Sequence, residues 1–308
     1  MPPSLDMTLS CNVQQTFIIA HNENTHPLET TLTQEGFAYE VLRQPESTSQ
    51  LGYSRSYLAL LNHCEAWKRA SEINGLTLIV EADFVPVRNM GSLPMPVQPT
   101  YPSLGVAWLY TCACQLYSVS KEGYAQGFST SMVAYLVAPM GAIALLNMAE
   151  ELKQSPGPYA YSAWDSDICK ILRWQGFENF IPLRNYGEHG GQPNPEHHQH
   201  GLSRTHRADV LYGPLAFTPM YALPEGNLTE PATSEPITEH WLSRPFGKSP
   251  FSTIHQLWRY SKVRLYARTK GIARLMAGKF LRQKVFHESS VPFTLLRFAI
   301  RRQLSWSL

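Results

Sequence analysis

The sequence predicts an α/β protein whose mostly parallel sheet is covered by flanking helices on both faces. Short, continuous apolar runs such as Thr16–Ala20 and Leu76–Val80 are typical of strands buried on both sides. Segments in which apolar residues recur at helical spacing separate these runs, and Gly36 and Gly75 mark helix ends. Because strands and helices alternate along the chain, we expect successive strands to run parallel.

The amino-terminal third of the chain supplies these elements in a regular order. The strand over Thr16–Ala20 precedes a short helix over Leu28–Glu35 and a second strand over Phe37–Leu42. A polar loop over Arg43–Gln50 leads to the clearest helix, Ser56–Ile73, which contains neither glycine nor proline. This order of strand, helix, strand and helix is typical of a parallel sheet covered on both faces.

The rest of the chain continues the alternation less regularly, because prolines become frequent. The segment Gly91–Pro102 contains four prolines and is expected to be a surface loop. Asn185–Arg207 is rich in glycine, proline and histidine and is expected to be irregular. The remaining predicted elements are strands over Leu104–Tyr117 and Ser129–Val137, and helices over Gly141–Lys153, Asp165–Trp174 and Leu257–Phe286.

The composition excludes several classes of protein. Of 308 residues, 44% are hydrophobic and 16% are charged, so the chain can bury a large core and is not broadly disordered. Five cysteines, an odd number without paired spacing, argue against a disulfide scaffold and for a reducing compartment. The longest apolar stretches, Leu104–Tyr117 and Met132–Leu146, are shorter than the ~20 residues of a spanning helix, and the polar start lacks a signal-peptide pattern. We therefore expect a cytoplasmic protein.

Charge is distributed unevenly along the chain. Residues 244–308 carry 14 Lys and Arg against one acidic residue, whereas residues 1–243 carry 12 Lys and Arg against 23 Asp and Glu. The sequence thus divides into a main domain over residues 1–210, a proline-rich linker or lid over 211–250, and a basic, helical extension over 251–308. A basic extension of this kind predicts an anionic partner, either a membrane surface or nucleic acid.

The strongest local signal for chemistry is an acidic pair at the end of a buried strand. The run Leu76–Val80 is followed by Glu81 and Asp83, with Ala82 between them. Ligands of open α/β sheets bind at the carboxyl ends of the strands, and two carboxylates there can hold Mg²⁺ or Mn²⁺ against phosphate oxygens. The alternative is that both acids begin a polar loop. The sequence contains no Gly-x-Ser-x-Gly elbow and no phosphate-binding Gly-x-x-x-x-Gly-Lys loop.

The residues around this pair resemble a known enzyme family. His63 is followed four residues later by Trp67, on a helix that precedes the strand ending in the triplet Glu81–Asp83. A later segment, Ala134–Ala142, has the pattern of a strand followed by a Gly-Ala helix start. Over roughly residues 14–185, this arrangement resembles glycosyltransferase family 25, which includes bacterial lipooligosaccharide and lipopolysaccharide sugar transferases and the collagen galactosyltransferases.

The resemblance implies a GT-A-like nucleotide-diphospho-sugar transferase fold. It implies transfer of a sugar from a nucleotide-sugar donor to a hydroxyl of a glycan or glycolipid acceptor of the lipopolysaccharide type. It also implies that Glu81 and Asp83 hold Mn²⁺ or Mg²⁺ and, together with His63, bind the donor. The chain departs from the family at Asn62, where the family has serine, and at Ala82, where it has an acid. The alternative is therefore a non-catalytic nucleotide-sugar or glycan binding protein on the same fold.

Two carboxylates are candidates for a general base. Asp165 and Asp167 lie at the start of the helix predicted over Asp165–Trp174. The helix dipole alone favours acidic residues there, which is the structural explanation. The resemblance implies an acid before this helix, and such a group can take the proton of an acceptor hydroxyl in an inverting transfer. The sequence leaves the choice between the two residues open.

A further candidate segment concentrates histidine. Residues 187–206 contain five of the eleven histidines of the chain. A closed zinc site is disfavoured, because no cysteine lies nearby and no His-Glu-x-x-His occurs. We expect a loop that closes over the donor, with His189 contacting the metal or the diphosphate. The alternative is a solvated polar loop.

The basic extension predicts where the protein acts. Trp258–Phe286 interleaves aromatic and aliphatic residues with many cations, as in helices that lie in the plane of an anionic membrane. A glycolipid acceptor would be presented at that surface, so we expect a peripheral protein at the inner face of the membrane. The alternative is a solvated helix packed on the main domain. Nucleic acid is not expected as a partner, because only the basic charge favours it.

Overall fold

The fold is known from a computed structural model, and it belongs to the α/β class that the sequence predicts. Helices flank a large central sheet, and a small second sheet lies beside it. The structure describes residues 7–44, 50–112, 115–120, 122–191, 206–222, 265–274, 277–287 and 290–304.

Most strands belong to the large sheet. In chain order the strands of the described residues are β1 (Val13–Ala20), β2 (Tyr39–Arg43), β3 (Leu76–Glu81), β4 (Phe84–Pro86), β5 (Leu104–Trp108), β6 (Gln115–Val119), β7 (Ala125–Phe128), β8 (Ala134–Val137), β9 (Glu178–Ile181) and β10 (Gly187–His189). Eight of them form one sheet in the order β2-β1-β3-β8-β5-β9-β7-β6, whereas β4 and β10 pair separately. Within the large sheet β7 and β8 run against the other six strands, so the prediction of a mostly parallel sheet is confirmed.

Helices cover both faces of this sheet. α3 begins where the Ser54 Oγ atom accepts a hydrogen bond from the Tyr57 amide at 3.2 Å, and α4 begins with Pro139, whose fixed φ suits a first helical position. The helices are α1 (Leu9–Asn12), α2 (His26–Gln34), α3 (Arg55–Glu72), α4 (Pro139–Gln154), α5 (Trp164–Trp174), α6 (Gly278–Phe286) and α7 (Phe293–Leu304), with a further helical segment over residues 265–274.

The large sheet separates two hydrophobic cores. On β1, Phe17 and Ile19 belong to the core that α3, α4 and α5 cover, whereas Ile18 belongs to the opposite core, which α2 covers. This alternation is what a strand buried on both faces requires. Because both faces are covered, the ends of the strands are the places where the sheet can present chemistry to a ligand.

Two predicted strands differ from the structure. The strand predicted over Leu104–Tyr117 is two strands, β5 and β6, because the chain leaves the sheet between them and the Thr111 amide donates to Asn185 Oδ1 at 2.7 Å. The strand predicted over Ser129–Val137 is only β8. The strand before it, β7, was not predicted, because it contains Gly127 and has no run of apolar residues.

The basic carboxyl-terminal region packs on the sheet through two buried arginines. Arg302 on α7 is fully buried, and its Nη2 atom lies 2.6 Å from Asp209 Oδ1. Its Nη1 atom donates to the carbonyl oxygens of residues 182 and 183 at 2.5 and 2.7 Å. Arg282 on α6 donates to the Tyr117 carbonyl oxygen at 2.8 Å. These contacts attach α6 and α7 directly to the large sheet and its connections.

The helix predicted over Leu257–Phe286 is interrupted in the structure. Residues 257–264 lie outside the described residues, residues 265–274 are helical, and α6 follows after a break. The linker or lid predicted over 211–250 is described only as far as residue 222, so the division into three segments stays a prediction. None of the helices within the described ranges combines the length and apolar character that crossing a bilayer requires.

Candidate functional site

The candidate site lies at the carboxyl end of β3. Glu81 is the last residue of this strand, and Asp83 follows it before β4 begins. Between them, the Ala82 amide donates to the Ile19 carbonyl oxygen of β1 at 2.8 Å, so the chain stays in contact with the sheet up to this point. Both carboxylates therefore lie at the strand edge where ligands of α/β sheets bind.

His189 reaches the same place from a distant part of the chain. β10 pairs antiparallel with β4, which sets His189 opposite Phe84, and the Gly190 amide donates to the Asp83 carbonyl oxygen at 2.8 Å. As a result the His189 Nε2 atom lies 2.9 Å from Asp83 Oδ2. One ligand atom from each of Glu81, Asp83 and His189 lies within 4.8 Å of the others.

Two glycines allow this segment to approach Asp83 so closely. A Cβ atom at Gly187 would overlap the Phe84 ring, and one at Gly191 would overlap the Asp83 carboxylate. The expectation that Asn185–Arg207 is irregular is therefore wrong where β10 forms, and the glycines are needed there for close packing rather than for flexibility.

Buried Arg207 holds the chain that follows β10. Its Nη1 atom donates to the His189 carbonyl oxygen at 2.7 Å, and its Nη2 atom donates to the Gly191 carbonyl oxygen at 3.0 Å. The guanidinium carbon lies 3.9 Å from the centre of the Tyr221 ring, in cation–π contact. Sequence analysis missed Arg207, because no pattern around it separates it from other arginines.

Glu188 supports the same segment from inside the protein. Its side chain is fully buried, and its Oε1 atom accepts hydrogen bonds from the amides of His189 and Ala208 at 3.0 and 2.8 Å. The Tyr221 hydroxyl donates to its Oε2 atom at 3.5 Å. A carboxylate that accepts these hydrogen bonds joins β10 to the chain around Ala208.

His63 connects Glu81 to the protein core. Its Nε2 atom lies 3.3 Å from Glu81 Oε1, and its Nδ1 atom lies 2.9 Å from the Tyr135 hydroxyl. The Trp67 indole N–H also donates to that hydroxyl, at 2.7 Å. Burial raises the pKa of Tyr135 well above its ordinary value, so the hydroxyl keeps a proton and can donate it to Nδ1. His63 then carries its own proton on Nε2 and donates it to Glu81.

The first turn of α5 lies beside this histidine. Trp164 packs edge-on against His63, with ring centres 5.2 Å apart, and Asp165 follows it in the chain. Burial, aided by the negative charge of Glu81, raises the pKa of Asp165 to about 7. Asp167 is exposed on the same turn. The two base candidates therefore differ in environment, because Asp165 is half-buried and feels the charge of Glu81, whereas Asp167 is exposed.

Asp83 and His189 stabilise each other's charged forms. Burial opposes the charge on Asp83, but the charge and hydrogen bond of His189 and the charge of Arg207 hold the pKa of Asp83 below its ordinary value. Burial likewise opposes the charge on His189, but Asp83 and then Glu81 raise the pKa of His189 to about 8. At neutral pH the two residues therefore form an ion pair.

The donor set suits a divalent cation. Two carboxylates and one imidazole are ligands that Mn²⁺ accepts readily and that Mg²⁺ accepts in part, and a bound cation would replace the proton that His189 carries in its ion pair with Asp83. Asp83 Oδ1 and His189 Nδ1 are buried without a hydrogen-bond partner among the described residues. Neighbouring ligands of one Mg²⁺ ion lie roughly 3 Å apart and opposite ligands roughly 4 Å apart. Small side-chain rotations would bring Glu81, Asp83 and His189 into that range.

Surface cavities lie away from this cluster. One of about 220 Å³ is lined by residues that include Tyr124, Tyr212 and Phe298. Another of about 190 Å³ lies between α3 and α4, against Leu60 and Leu146. Neither borders the acidic pair or His189.

Comparison with known proteins adds a distant likeness. No protein-family model matches the chain, and no curated protein matches it. Among solved structures it is similar to "a glycosyltransferase involved in the glycosylation of the major capsid of PBCV-1", with a TM-score of 0.37 and 8% identity, over 54% of this chain and 80% of that one. A likeness of this strength carries no argument about function. The resemblance to glycosyltransferase family 25 is not confirmed.

Proposed function

We propose that the protein is a metal-assisted glycosyltransferase. It moves a sugar from a nucleotide-sugar donor to a hydroxyl of a glycan or glycolipid acceptor of the lipopolysaccharide type. The observation that supports this is the convergence of Glu81, Asp83 and His189 at the end of β3, with Asp165 close enough to feel the charge of Glu81. A GT-A-like arrangement of the fold and a cytoplasmic location at the inner face of the membrane belong to the same proposal.

Three side chains in this proposal bind the donor diphosphate through a cation. Glu81, Asp83 and His189 would hold Mn²⁺ or Mg²⁺, which when bound neutralises the charge of a diphosphate leaving group. His63 orients Glu81 by donating from Nε2, and Arg207 fixes the backbone on both sides of Gly190. The ligands are thus supported by hydrogen bonds from residues that do not touch the cation, as well-ordered metal sites require.

Asp165 is the general base in this proposal. With a pKa of about 7 it is partly deprotonated at neutral pH, where a base is most effective. In this proposal Asp165 takes the proton of an acceptor hydroxyl while the donor diphosphate lies at the acidic pair. Asp167, which is exposed, is the second candidate for the base, and the variant Asp167→Asn tests it.

A second candidate function is that of a binding protein on the same fold. Ala82 favours it, because a methyl group stands where the resemblance places the middle acid of the triplet. Such a protein would bind a nucleotide sugar or a glycan and release neither sugar nor nucleotide. Turnover therefore separates the two functions.

The test is an assay of donor hydrolysis and donor binding on one preparation of the full chain. The protein is incubated with uridine, guanosine, thymidine and cytidine nucleotide sugars and Mn²⁺, and release of free nucleotide is measured with and without a chelator. Asp83→Asn and Asp165→Asn are the test variants, Asp167→Asn checks the second base, and Glu150→Gln is the control at an exposed carboxylate on α4.

Each result of this assay has a defined meaning. Chelator-sensitive nucleotide release that Asp83→Asn abolishes and Glu150→Gln retains supports the transferase. Calorimetric binding of a nucleotide sugar without release supports the binding protein. If no nucleotide sugar is bound or hydrolysed by the folded chain, the transferase and the nucleotide-sugar binding protein are both wrong.

A further inference from the structure

Helix α7 is apolar on two opposite faces. Its inner face is buried against the protein through Leu295, Phe298 and Arg302. Phe293, Ile300 and Leu304 follow one another at spacings of seven and four residues, so they share one side of the helix. They are exposed by 75%, 49% and 73%, and with Leu296 they form an outer face opposite the inner one.

This outer face is unusual for a surface helix. A helix that buries one face in a globular protein normally carries polar residues on the other. Nine of the fifteen exposed large apolar side chains among the described residues lie between residues 265 and 304, although this region is a small part of the described chain. Exposed apolar patches of this kind mark contact surfaces.

Charge identifies the partner of the outer face. Arg297 and Arg301 are exposed beside its apolar residues, and residues 244–308 carry 14 Lys and Arg against a single acid. A second copy of the chain would bring the same cations against each other at a two-fold contact, which opposes that pairing. Nucleic acid would use the cations but not the aliphatic side chains. Anionic lipid uses both, because cations bind the headgroups while apolar side chains enter the acyl boundary.

We propose that the outer face of α7 is a docking surface for an anionic membrane. The inner face attaches it rigidly, since Arg302 bonds Asp209 and two backbone carbonyl groups inside the protein. The helical segment 265–274 extends the surface: Arg268 donates to the Gln303 carbonyl oxygen at 2.5 Å, and the segment exposes further apolar side chains, Leu265, Tyr266 and Ile272. This inference rests on the membrane location in the proposed function and names the surface responsible for it, whereas the transferase chemistry does not depend on it and is tested separately.

Flotation with lipid vesicles tests the proposal. The full chain is mixed with vesicles of phosphatidylglycerol and phosphatidylcholine, or of phosphatidylcholine alone, at low and high salt. We expect flotation with the anionic vesicles at low salt and release at high salt. Ile300→Ser with Leu304→Ser should lower the partition coefficient about tenfold or more, because two aliphatic side chains no longer enter the membrane. Arg297→Glu with Arg301→Glu should abolish flotation.

Matched variants elsewhere on the surface separate this face from general charge and hydrophobicity. Leu51→Ser with Trp174→Ser removes two apolar side chains that are at least as exposed as Ile300 and Leu304, and Lys68→Glu with Lys153→Glu reverses two exposed charges on α3 and α4. Both should float as the unchanged protein does. The proposal is overturned if the unchanged protein ignores anionic vesicles at low salt, or if the α7 variants float normally. It is also overturned if light scattering shows a dimer that the α7 variants dissociate, because the face would then join two copies.

Discussion

The His63 Nε2 atom lies 3.3 Å from Glu81 Oε1, although His63 lies within α3 and Glu81 ends β3. The contact closes a buried series of hydrogen bonds that runs from the Trp67 indole through the Tyr135 hydroxyl to His63. The orientation of a candidate metal ligand is therefore set by side chains of the core rather than by solvent. Hydrogen bonds of this kind raise the affinity of metal sites.

Tyr135→Phe should lower the affinity for Mn²⁺ by about 10- to 100-fold. The substitution keeps the buried ring but removes the hydroxyl that donates to His63 Nδ1, so the imidazole is no longer held with its proton directed at Glu81. Titration calorimetry with Mn²⁺ on the full chain measures the change. Tyr159→Phe removes the hydroxyl of a tyrosine that is 70% exposed and should leave the affinity unchanged. Equal affinities for the two variants would show that His63 does not orient Glu81.

Gly191→Ala should weaken Mn²⁺ binding without changing a single titratable group. The added Cβ atom would overlap the Asp83 carboxylate, so either Asp83 must rotate or the chain after β10 must move away. A displacement of this kind separates Asp83 from His189, and we expect an affinity loss of about tenfold or more, in the range of supporting-residue variants. Calorimetry measures the loss, and circular dichroism checks the fold.

Gly213→Ala is the matched control for this substitution. The position has open space around a new Cβ atom, so the same chemical change should leave both stability and Mn²⁺ affinity as they are. If Gly191→Ala binds Mn²⁺ as Gly213→Ala does, then Asp83 does not need its present position, and the metal site is not built from these three residues.

The position of the acidic pair could be predicted from the sequence. Leu76–Val80 is a continuous apolar run, and such a run in an alternating α/β pattern is a buried strand whose polar end faces the ligand edge of the sheet. Local patterns also predicted α3, because Ser56–Ile73 contains neither glycine nor proline and its apolar residues Leu60, Cys64, Trp67 and Ala70 recur at helical spacing. These are local patterns, and each depends only on residues close together in the chain.

The residues that complete the site depend on contacts between distant parts of the chain. His189 meets Asp83 only because β10 pairs with β4, and Arg207 is placed only once that pairing exists. The strand β10 has three residues, begins with Gly187 and is followed by two more glycines. It carries too few apolar residues to be distinguished from a loop in the sequence. Tyr135 is a further example, because a tyrosine in an apolar strand gives no sign that its hydroxyl meets a histidine.

Helix α7 shows why the two-faced surface was not predicted. Its apolar residues lie on both faces, so they do not form the single stripe by which an amphipathic helix is recognised. The predicted membrane segment was instead Trp258–Phe286, part of which lies outside the described residues. The burial of Arg302 defines the inner face of the helix, and only then can Phe293 and Ile300 be recognised as part of the outer face.

Arg302→Met should destabilise the protein by about 3–5 kcal/mol, the usual result of removing one partner of a buried ion pair. The Asp209 carboxylate would remain buried without its cation, and the carbonyl groups of residues 182 and 183 would lose their donor. Urea unfolding followed by tryptophan fluorescence measures the change. Arg301→Met is the control, because Arg301 is exposed on the same helix and its loss should change stability by roughly 0.5 kcal/mol or less. Equal stabilities would mean that α7 is not attached through Arg302.

The pH dependence of stability should report Asp165. Its pKa in the folded protein is raised to about 7, against about 3.9 for an unperturbed aspartate, so the folded state binds more protons than the unfolded state between these values. Asp165 therefore lowers the free energy of unfolding as the pH rises from about 4 to about 7. Compared with the unchanged protein, Asp165→Asn should have a higher relative free energy of unfolding at pH 8 than at pH 4, because the variant lacks this titration. Asp167→Asn should show no such difference.

The pH dependence of activity should report the same residue, but activity should rise over the pH range in which stability falls. If Asp165 is the general base, kcat/KM of the transferase should rise with pH up to about 7 and then level off, because only the carboxylate accepts a proton. Asp165→Asn should bind donor normally and lose about 10²- to 10⁴-fold in transfer, without the rising limb. Full activity of Asp165→Asn beside a loss in Asp167→Asn would move the base to the exposed residue. A rising limb that survives in Asp165→Asn would assign the titration to another group.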